Sequence, residues 1–279
     1  QSQSTDVPTG QGFATSLKLD CTTADASPAS GDVLRLEQRF EGQNLQYLKK
    51  GTSSAVSTTL SFWIKSNKTG TFINQLQDID NTRTISQSYT IDVADTWEKK
   101  TLTFAGDTSG AFDNDNGNSL MLHFWFGAGS NYTSGTLNTS WNTNDNANRA
   151  VGVSNLADST SNELYLTGVQ WEAGTTASDF EFLPVDANLA RCQRYYQFAF
   201  NQSQAYMNGT THVGNGVTFM TQMRANPSCS TGQVIASGGT SPSSWTHHQP
   251  NTYGSGVYGT PSGAGMYYWY LKIIANSEL

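Results

Sequence analysis

Leu120-Met121-Leu122-His123-Phe124-Trp125-Phe126 alternates two rows of side chains. Successive residues of an extended chain point to opposite faces, so Leu120, Leu122, Phe124 and Phe126 line one side and Met121, His123 and Trp125 the other. A period of two belongs to a strand and not to a helix. Residues 59–65 repeat it, with Leu60, Phe62 and Ile64 on one face and Ser61, Trp63 and Lys65 on the other. Weaker strands are predicted over residues 16–20, 33–40, 72–76, 84–91, 98–104 and 163–172, each bounded by Gly, Asp, Asn, Ser or Pro. About eight strands suit a two-sheet sandwich.

Composition agrees. Charged residues make up 13% of the 279 and hydrophobic ones 36%, and Thr, Ser, Asn, Gln and Gly dominate the rest, a mixture that favours strands and turns. Two segments have helical spacing. Residues 41–50 carry Leu45 and Leu48 and predict at most a turn, and residues 188–200 predict a short turn leading into an aromatic strand. The net charge of −7, with scattered basic residues, excludes the footprint of a nucleic-acid binder. No apolar run has the roughly 20 residues of a spanning helix, so no membrane insertion is expected. Cys21, Cys192 and Cys229 lack the number for a disulfide framework and the spacing for zinc, and are read as reduced.

Beyond Leu183 glycine becomes dense and aliphatic residues thin out. The chain therefore divides into residues 1–184, a sandwich, and residues 185–279, a smaller β-rich domain with a distal or oligomerisation role. The closing stretch, residues 265–276, is apolar on both faces of a strand, which predicts burial against a partner, a second copy of the chain being the natural one.

Signatures of catalysis are missing: no G-x-S-x-G, H-E-x-x-H or P-loop pattern occurs. Glu37, Glu163, Glu172 and Glu181 are the carboxylates that a glycosidase pair would draw on, and none sits in a recognisable context. No enzyme and no cofactor are expected. Asp113 and Asp115, in Asp-Asn-Asp-Asn-Gly, have the oxygen density of a structural calcium loop, or of an ordinary turn. The long polar stretch 127–156 holds the glycan-binding candidates Asn131, Tyr132, Trp141 and Asn142, an aromatic ring for stacking beside amides for hydrogen bonding. Two readings of Trp141 are open: a sugar platform, or a ring folded back over the sandwich. Trp63, Trp97, Trp125 and Trp171 are read as core.

One block of sequence has a familiar pattern. It runs Leu164-Tyr-Leu-Thr-Gly-Val-Gln-Trp-Glu-Ala-Gly174, then Phe180-Glu181, then Leu189-Ala-Arg-Cys-Gln-Arg-Tyr-Tyr196. Together with SLKLDCTTAD from Ser16, LSFWIKSNKTG from Leu60, TWEKKTLTF from Thr96 and GSNYTSGTL from Gly129, it resembles virion appendage proteins of bacteriophages, of the marine phage type. Trp171 departs from the pattern, which has Leu there. The resemblance implies a jelly-roll sandwich similar to carbohydrate-binding modules, followed by a variable distal β domain, carried in a larger fibre protein whose upstream part is expected to be absent here, since the sequence does not begin with Met. It implies a non-enzymatic virion structural protein, a homotrimeric tail fibre or receptor-binding appendage, assembled in the host cytoplasm, touching other virion proteins and attaching to a host cell-surface glycan. Two other readings stay open: a capsid decoration or head-fibre protein without a ligand, and the non-catalytic module of a glycan-degrading tailspike.

Overall fold

The computed structural model describes residues 1–208, 213–237, 245–259 and 264–279. His212 lies outside them, as do the side chains of Asn208, Tyr267 and Trp269. The chain divides into two compact units, Gln1–Glu181 and Phe182–Leu279.

The first unit is all-β. Its strands are β1 (Ser2–Ser4), β2 (Ser16–Asp20), β3 (Val33–Glu41), β4 (Thr58–Ser66), β5 (Gly70–Asp78), β6 (Arg83–Ile91), β7 (Glu98–Phe104), β8 (Asn118–Ala128), β9 (Asn142–Thr143) and β10 (Glu163–Ala173). They form two five-stranded sheets, β1-β2-β10-β4-β7 and β3-β8-β5-β6-β9, in which every pairing is antiparallel. All eight expected strands are present, and the sheets stack as a jelly-roll sandwich. The short β1 and β9 carry too few residues to show a period. Residues 41–50 form two 3-10 turns, Gly42–Asn44 and Gln46–Leu48.

The alternation read from the sequence sorts the core. Leu60, Phe62 and Ile64 of β4 meet Leu120, Leu122, Phe124 and Phe126 of β8 between the sheets, with Phe72, Leu76, Ile85 and Phe104. Phe62 makes edge contacts with Tyr89 and Phe124 at 5.1 and 5.2 Å, a geometry that adds to the area each ring buries. In β10 a bulge separates Thr167 from Gln170. There Gly168 adopts φ +60, and a Cβ at this position would stand 2.5 Å from the Phe13 ring, so only glycine admits both the turn and the ring. The tryptophans divide. Trp171 packs on the core with its ring 5.0 Å from Phe40, whereas Trp125 is fully buried on the opposite face of its sheet, under a loop. Trp63 is half-buried; Trp97 precedes β7 and donates to Asp6. Neither belongs to the core, because each sits on the outer face of the β4 sheet or beside it.

At one end of the sandwich charge replaces apolar packing. The Lys50 ammonium, 4% exposed, lies 2.5 Å from Asp78 and 3.2 Å from Asp107, and donates to the carbonyls of Ser109 and Gly110. Arg83 grips Asp107 through two nitrogens at 2.6 and 3.1 Å. The long stretch 105–119 is thereby tied to β5 and β6. Burial works to raise the Asp107 carboxyl, but Arg83, the Ser109 N–H and Lys50 outweigh it and hold it below its ordinary value.

The second unit opens with one helix and continues in strands. Pro184 precedes a nine-residue helix, α2 (Val185–Gln193), which follows the single-turn α1 (Ser130–Thr133) of the first unit. It is longer than the turn expected, because Pro184 fixes the entry, Asp186 favours the first turn and Arg191 the last. The aromatic run after it is a strand as read. Strands β11 (Tyr196–Asn208), β12 (Val213–Thr218), β13 (Ser228–Ser237), β14 (Trp245–Asn251), β15 (Gly254–Gly259) and β16 (Ala264–Asn276) make two three-stranded sheets, β11-β16-β13 and β12-β15-β14. Leu271, Ile273 and Ala275 of β16 pack with Val217, Phe219, Met223 and Val257 to form the core of this unit.

Removing one partner of a buried ion pair leaves the other desolvated and uncompensated. Lys50→Ala is expected to lower the urea-unfolding free energy by about 3–5 kcal/mol, and Lys50→Met combined with Asp78→Leu to recover most of it. A single variant losing under about 1 kcal/mol would mean that the cluster is not a structural element.

Candidate functional site

Three strands place nine outward side chains in register. Arg35 of β3, Trp125 of β8 and Ile73 of β5 form one row; Glu37, His123 and Gln75 the next; Arg39, Met121 and Gln77 the third. The opposite parity of the same strands feeds the core, so the alternation that fills the sandwich also sets this face. Glu37 binds both of its neighbours: Oε2 accepts from Arg35 Nη2 at 3.1 Å and Oε1 from Arg39 Nε at 2.7 Å. The two guanidinium groups are thus oriented by one carboxylate.

The stretch 127–156 folds back on this sheet and covers its β5–β6 side. Trp125 and Ile73 are buried beneath it against Ala150 of the stretch, with Tyr132, Leu137 and Val153 packed around them. Asn138 accepts from Ser86 N through its backbone oxygen and donates to Thr84 Oγ1, and Ser86 Oγ donates to the Arg149 carbonyl. The cover ends at Arg149. Its guanidinium donates to Gln75 Oε1 at 3.0 Å, Gln77 Oε1 at 2.6 Å and Asn146 Oδ1 at 3.4 Å. Arg35 and Arg149 both lie against the Trp125 ring, at 5.0 and 5.2 Å. The β3 side stays open, with Arg39 exposed and Arg35 and Glu37 half-buried.

His123 sits at the centre, fully buried. Its Nε2 is 3.1 Å from Gln77 Oε1 and 3.3 Å from Arg149 Nη2, and its Nδ1 is 3.4 Å from Glu37 Oε2 without forming a hydrogen bond. Burial first, then Arg35, Arg149 and Arg39, push the ring down to about 2, so it is neutral. A neutral imidazole has one N–H, and here two acceptor oxygens face its two nitrogens. The tautomer protonated at Nδ1 lets Nε2 accept from Arg149 Nη2 and turns the N–H toward Glu37 Oε2.

The residues singled out from the sequence are scattered. Asn131 and Tyr132 lie in α1 beyond the Ala128 end of β8; Asn131 is exposed, and Tyr132 packs on Trp125 at 5.5 Å. Trp141 and Asn142 lie at the other end of the sheet, where Asn142 pairs with Thr84 in β9. The Trp141 ring is folded back on the core: Nε1 donates to the Ala105 carbonyl at 2.7 Å, and Lys50 stands 5.5 Å from the ring. The structure brings no pair from one end together with the other. Asp115 Oδ1 accepts from Gly117 N in an Asx turn, and Asp113 N is held by Asp80. Among the described residues no group of three His, Cys, Asp or Glu side chains is arranged to hold a metal, and no helix is long and apolar enough to cross a membrane. A groove of about 460 Å³ runs beside β3, with Leu19, Leu34, Leu36, Phe126 and Leu156 in its wall and Arg35 at its rim.

Sequence reasoning passed over Arg35, Arg39, His123 and Arg149. The signal was present in Arg35-Leu-Glu37-Gln-Arg39, charges at period two on a strand, where a solvated face reads alike. Arg149 carried none, because its place is set by the fold of the loop.

No protein-family model matches the sequence, and no curated protein matches it. Two solved structures show remote likeness. One is the enzymatically active domain of tailspike protein 4 of bacteriophage CBA120, at 15% identity and TM-score 0.33, covering 62% of this chain and 17% of that one. The other is recombinant discoidin II of Dictyostelium discoideum, at 10% identity and TM-score 0.20, covering 98% and 87%. The chain thus spans under a fifth of the tailspike domain's length, and at these scores neither likeness assigns a function.

The neutral His123 has a measurable consequence. A histidine whose folded value is depressed disfavours folding wherever the unfolded chain takes up the proton and the folded chain does not, here from the unfolded value near 6.5 down to about 2. Stability is complete above that upper limit and falls with pH below it. Between pH 7 and pH 5 the wild type is expected to lose about 2 kcal/mol more than His123→Gln in urea unfolding. His247, also lowered by burial, titrates in both proteins and cancels. Equal pH slopes for the two proteins would contradict the neutral, buried ring.

Proposed function

We propose that this chain is a non-enzymatic part of a bacteriophage virion, a tail fibre or receptor-binding appendage, and that it holds a host-surface glycan on the open β3 side of the face that β3, β8 and β5 form. The observation that carries the reading is the grid of fixed polar side chains on rigid strands, in which Glu37, Gln75, Gln77 and Arg149 are already hydrogen-bonded to one another or to their neighbours. The donors of Arg35 and Arg39, fixed by Glu37 and reaching solvent, suit recognition of polar saccharide groups, since little ordering entropy is left to lose on binding. The resemblance to phage appendages supports the setting: its blocks fall on β2, β4, β7, β10 and α2, and on α1 and the loop after β8 that borders the site.

The carboxylates support binding over hydrolysis. Lys18 holds the Glu163 carboxyl below its ordinary value with help from Tyr165, and Gln170 and Ser178 do the same to Glu172. A general acid for glycosides needs its proton held more tightly, not less.

Association of copies, a homotrimer in this reading, is supported by the second unit. Tyr196, Phe198, Phe200 and Tyr206 of β11 stand on one face beside Met266, Tyr268 and Tyr270 of β16, and Phe200 stacks on Tyr270 at 5.1 Å. All but Tyr270 are exposed, Tyr206 at 69%. Five half-exposed aromatics present on the order of 500 Å², near the upper end of what monomers leave uncovered and over half of one side of a stable interface. Lys272, 4.2 Å from the Phe198 ring, is the charge on this face among the described side chains, so the surface meets its own copy without repulsion between carboxylates and needs no charged partner. Several copies on one particle raise effective affinity for a repeating glycan.

Two measurements test these statements. Purified chain incubated with host polysaccharide is expected to bind it without releasing new reducing ends; release of such ends, or no binding to any surface glycan, would overturn the reading. In mass photometry a trimer is expected, shifting toward monomer in a Phe200→Ser, Tyr268→Ser double variant. A strictly monomeric wild type at micromolar concentration would remove the trimer.

A further inference from the structure

We infer that the group recognised on the β3–β8–β5 face is an oxyanion carried by a saccharide, a carboxylate or a sulfate, taken by Arg35 and Arg39 with Arg149 behind them. The inference deepens the glycan-binding reading and rests on it. Charge is the first ground. Within the grid and the loop that borders it, three guanidinium groups stand against two carboxylates, Glu37 in the grid and Asp145 in the loop, while His123 between them is uncharged. The face therefore carries an excess of one positive charge on a chain whose net charge is −7. Repulsion within the group is visible on Arg149, which is pushed down to about 10, by burial first and then by Arg35. A bound anion relieves that repulsion; a neutral sugar does not.

Geometry is the second ground. Guanidinium is a planar fork of five donors that matches a carboxylate or sulfate edge. Glu37 takes one nitrogen from Arg35 and one from Arg39 and so fixes the two forks side by side on one strand, with Arg35 also pressed on Trp125. Glu37 is a positioning residue here. Both arginines reach solvent, with side chains 26% and 42% exposed. The third ground is His123 Nδ1, a fully buried nitrogen without a hydrogen-bond partner, aimed at the carboxylate that orients both forks.

The test uses the full chain and three defined polymers at about 0.15 M salt: polygalacturonate for carboxylate, dextran sulfate for sulfate, and unmodified dextran. Titration calorimetry is expected to show binding to one or both polyanions and none to dextran. The Arg35→Gln, Arg39→Gln double variant is expected to weaken binding by about tenfold or more at unchanged melting temperature. Lys99→Gln combined with Arg191→Gln removes the same charge elsewhere and is expected to leave affinity within about twofold. Equal weakening by both pairs would reduce the effect to nonspecific attraction and overturn the inference, as would failure of both polyanions to bind. Binding of neutral host glycans untouched by Arg35→Gln, Arg39→Gln would overturn the anionic class while leaving the glycan reading in place; absence of any glycan binding would end both.

Discussion

A guanidinium cannot shed its proton at any ordinary pH, so an arginine taken out of water must be met by acceptors wherever the fold puts it. Arg149 is 6% exposed, and Gln75, Gln77 and Asn146 supply those acceptors while Trp125 offers its ring. This requirement closes the stretch 127–156 onto the sheet, since the glutamine oxygens belong to β5 and the charge to the loop. It also decides what remains open. The cover stops at Arg149, leaving the β3 row of Arg35, Glu37 and Arg39 at the surface, and the positive charge at its edge helps keep His123 neutral.

Polar chemistry and apolar packing divide the work in this sandwich. Between the sheets, Phe62, Phe124 and their neighbours interdigitate with no ionisable group among them apart from Tyr89, whose hydroxyl is pushed up by burial. Outside the sheets, charge fixes the loops. Lys50 gathers Asp78, Asp107 and two carbonyls at one end, and Arg149 gathers glutamines on the face. Such clusters add little net stability over apolar substitutes, yet they specify one arrangement, because every alternative leaves a buried charge unmet. A binding surface benefits from that specificity, since side chains fixed before contact lose less entropy on contact.

The second unit solves a different problem with the same alternation. In β16 Leu271, Ile273 and Ala275 enter the core, while the other parity presents Met266, Tyr268 and Tyr270 outward in line with the aromatics of β11. Among the described side chains, one face of this sheet is covered by its own unit and the other presents exposed aromatics. In the proposed assembly, copies meet on the aromatic face and the sandwiches carry the recognition surface, so affinity is shared between a modest site and its multiplicity.

The sequence by itself determined the strands and the inside of the sandwich. Period two at Leu120–Phe126 and at Leu60, Phe62 and Ile64 allows one apolar face, and a slip of one residue would put every ring in water. It determined less about α2, where helical spacing and an aromatic strand competed over the same residues and the entry at Pro184 tipped the balance toward nine helical residues. The site was decided by tertiary structure. Arg35-Leu-Glu37-Gln-Arg39 reads as a solvated strand until β8 sets His123 beside Glu37, and Trp141 reads equally as a platform or as a cover of the sandwich until the Ala105 carbonyl and Lys50 place it inward. Local pattern specifies which side of a strand a residue occupies; what stands on that side with it depends on strand order and on where a loop of some thirty residues comes to rest, and neither is encoded in neighbours along the chain.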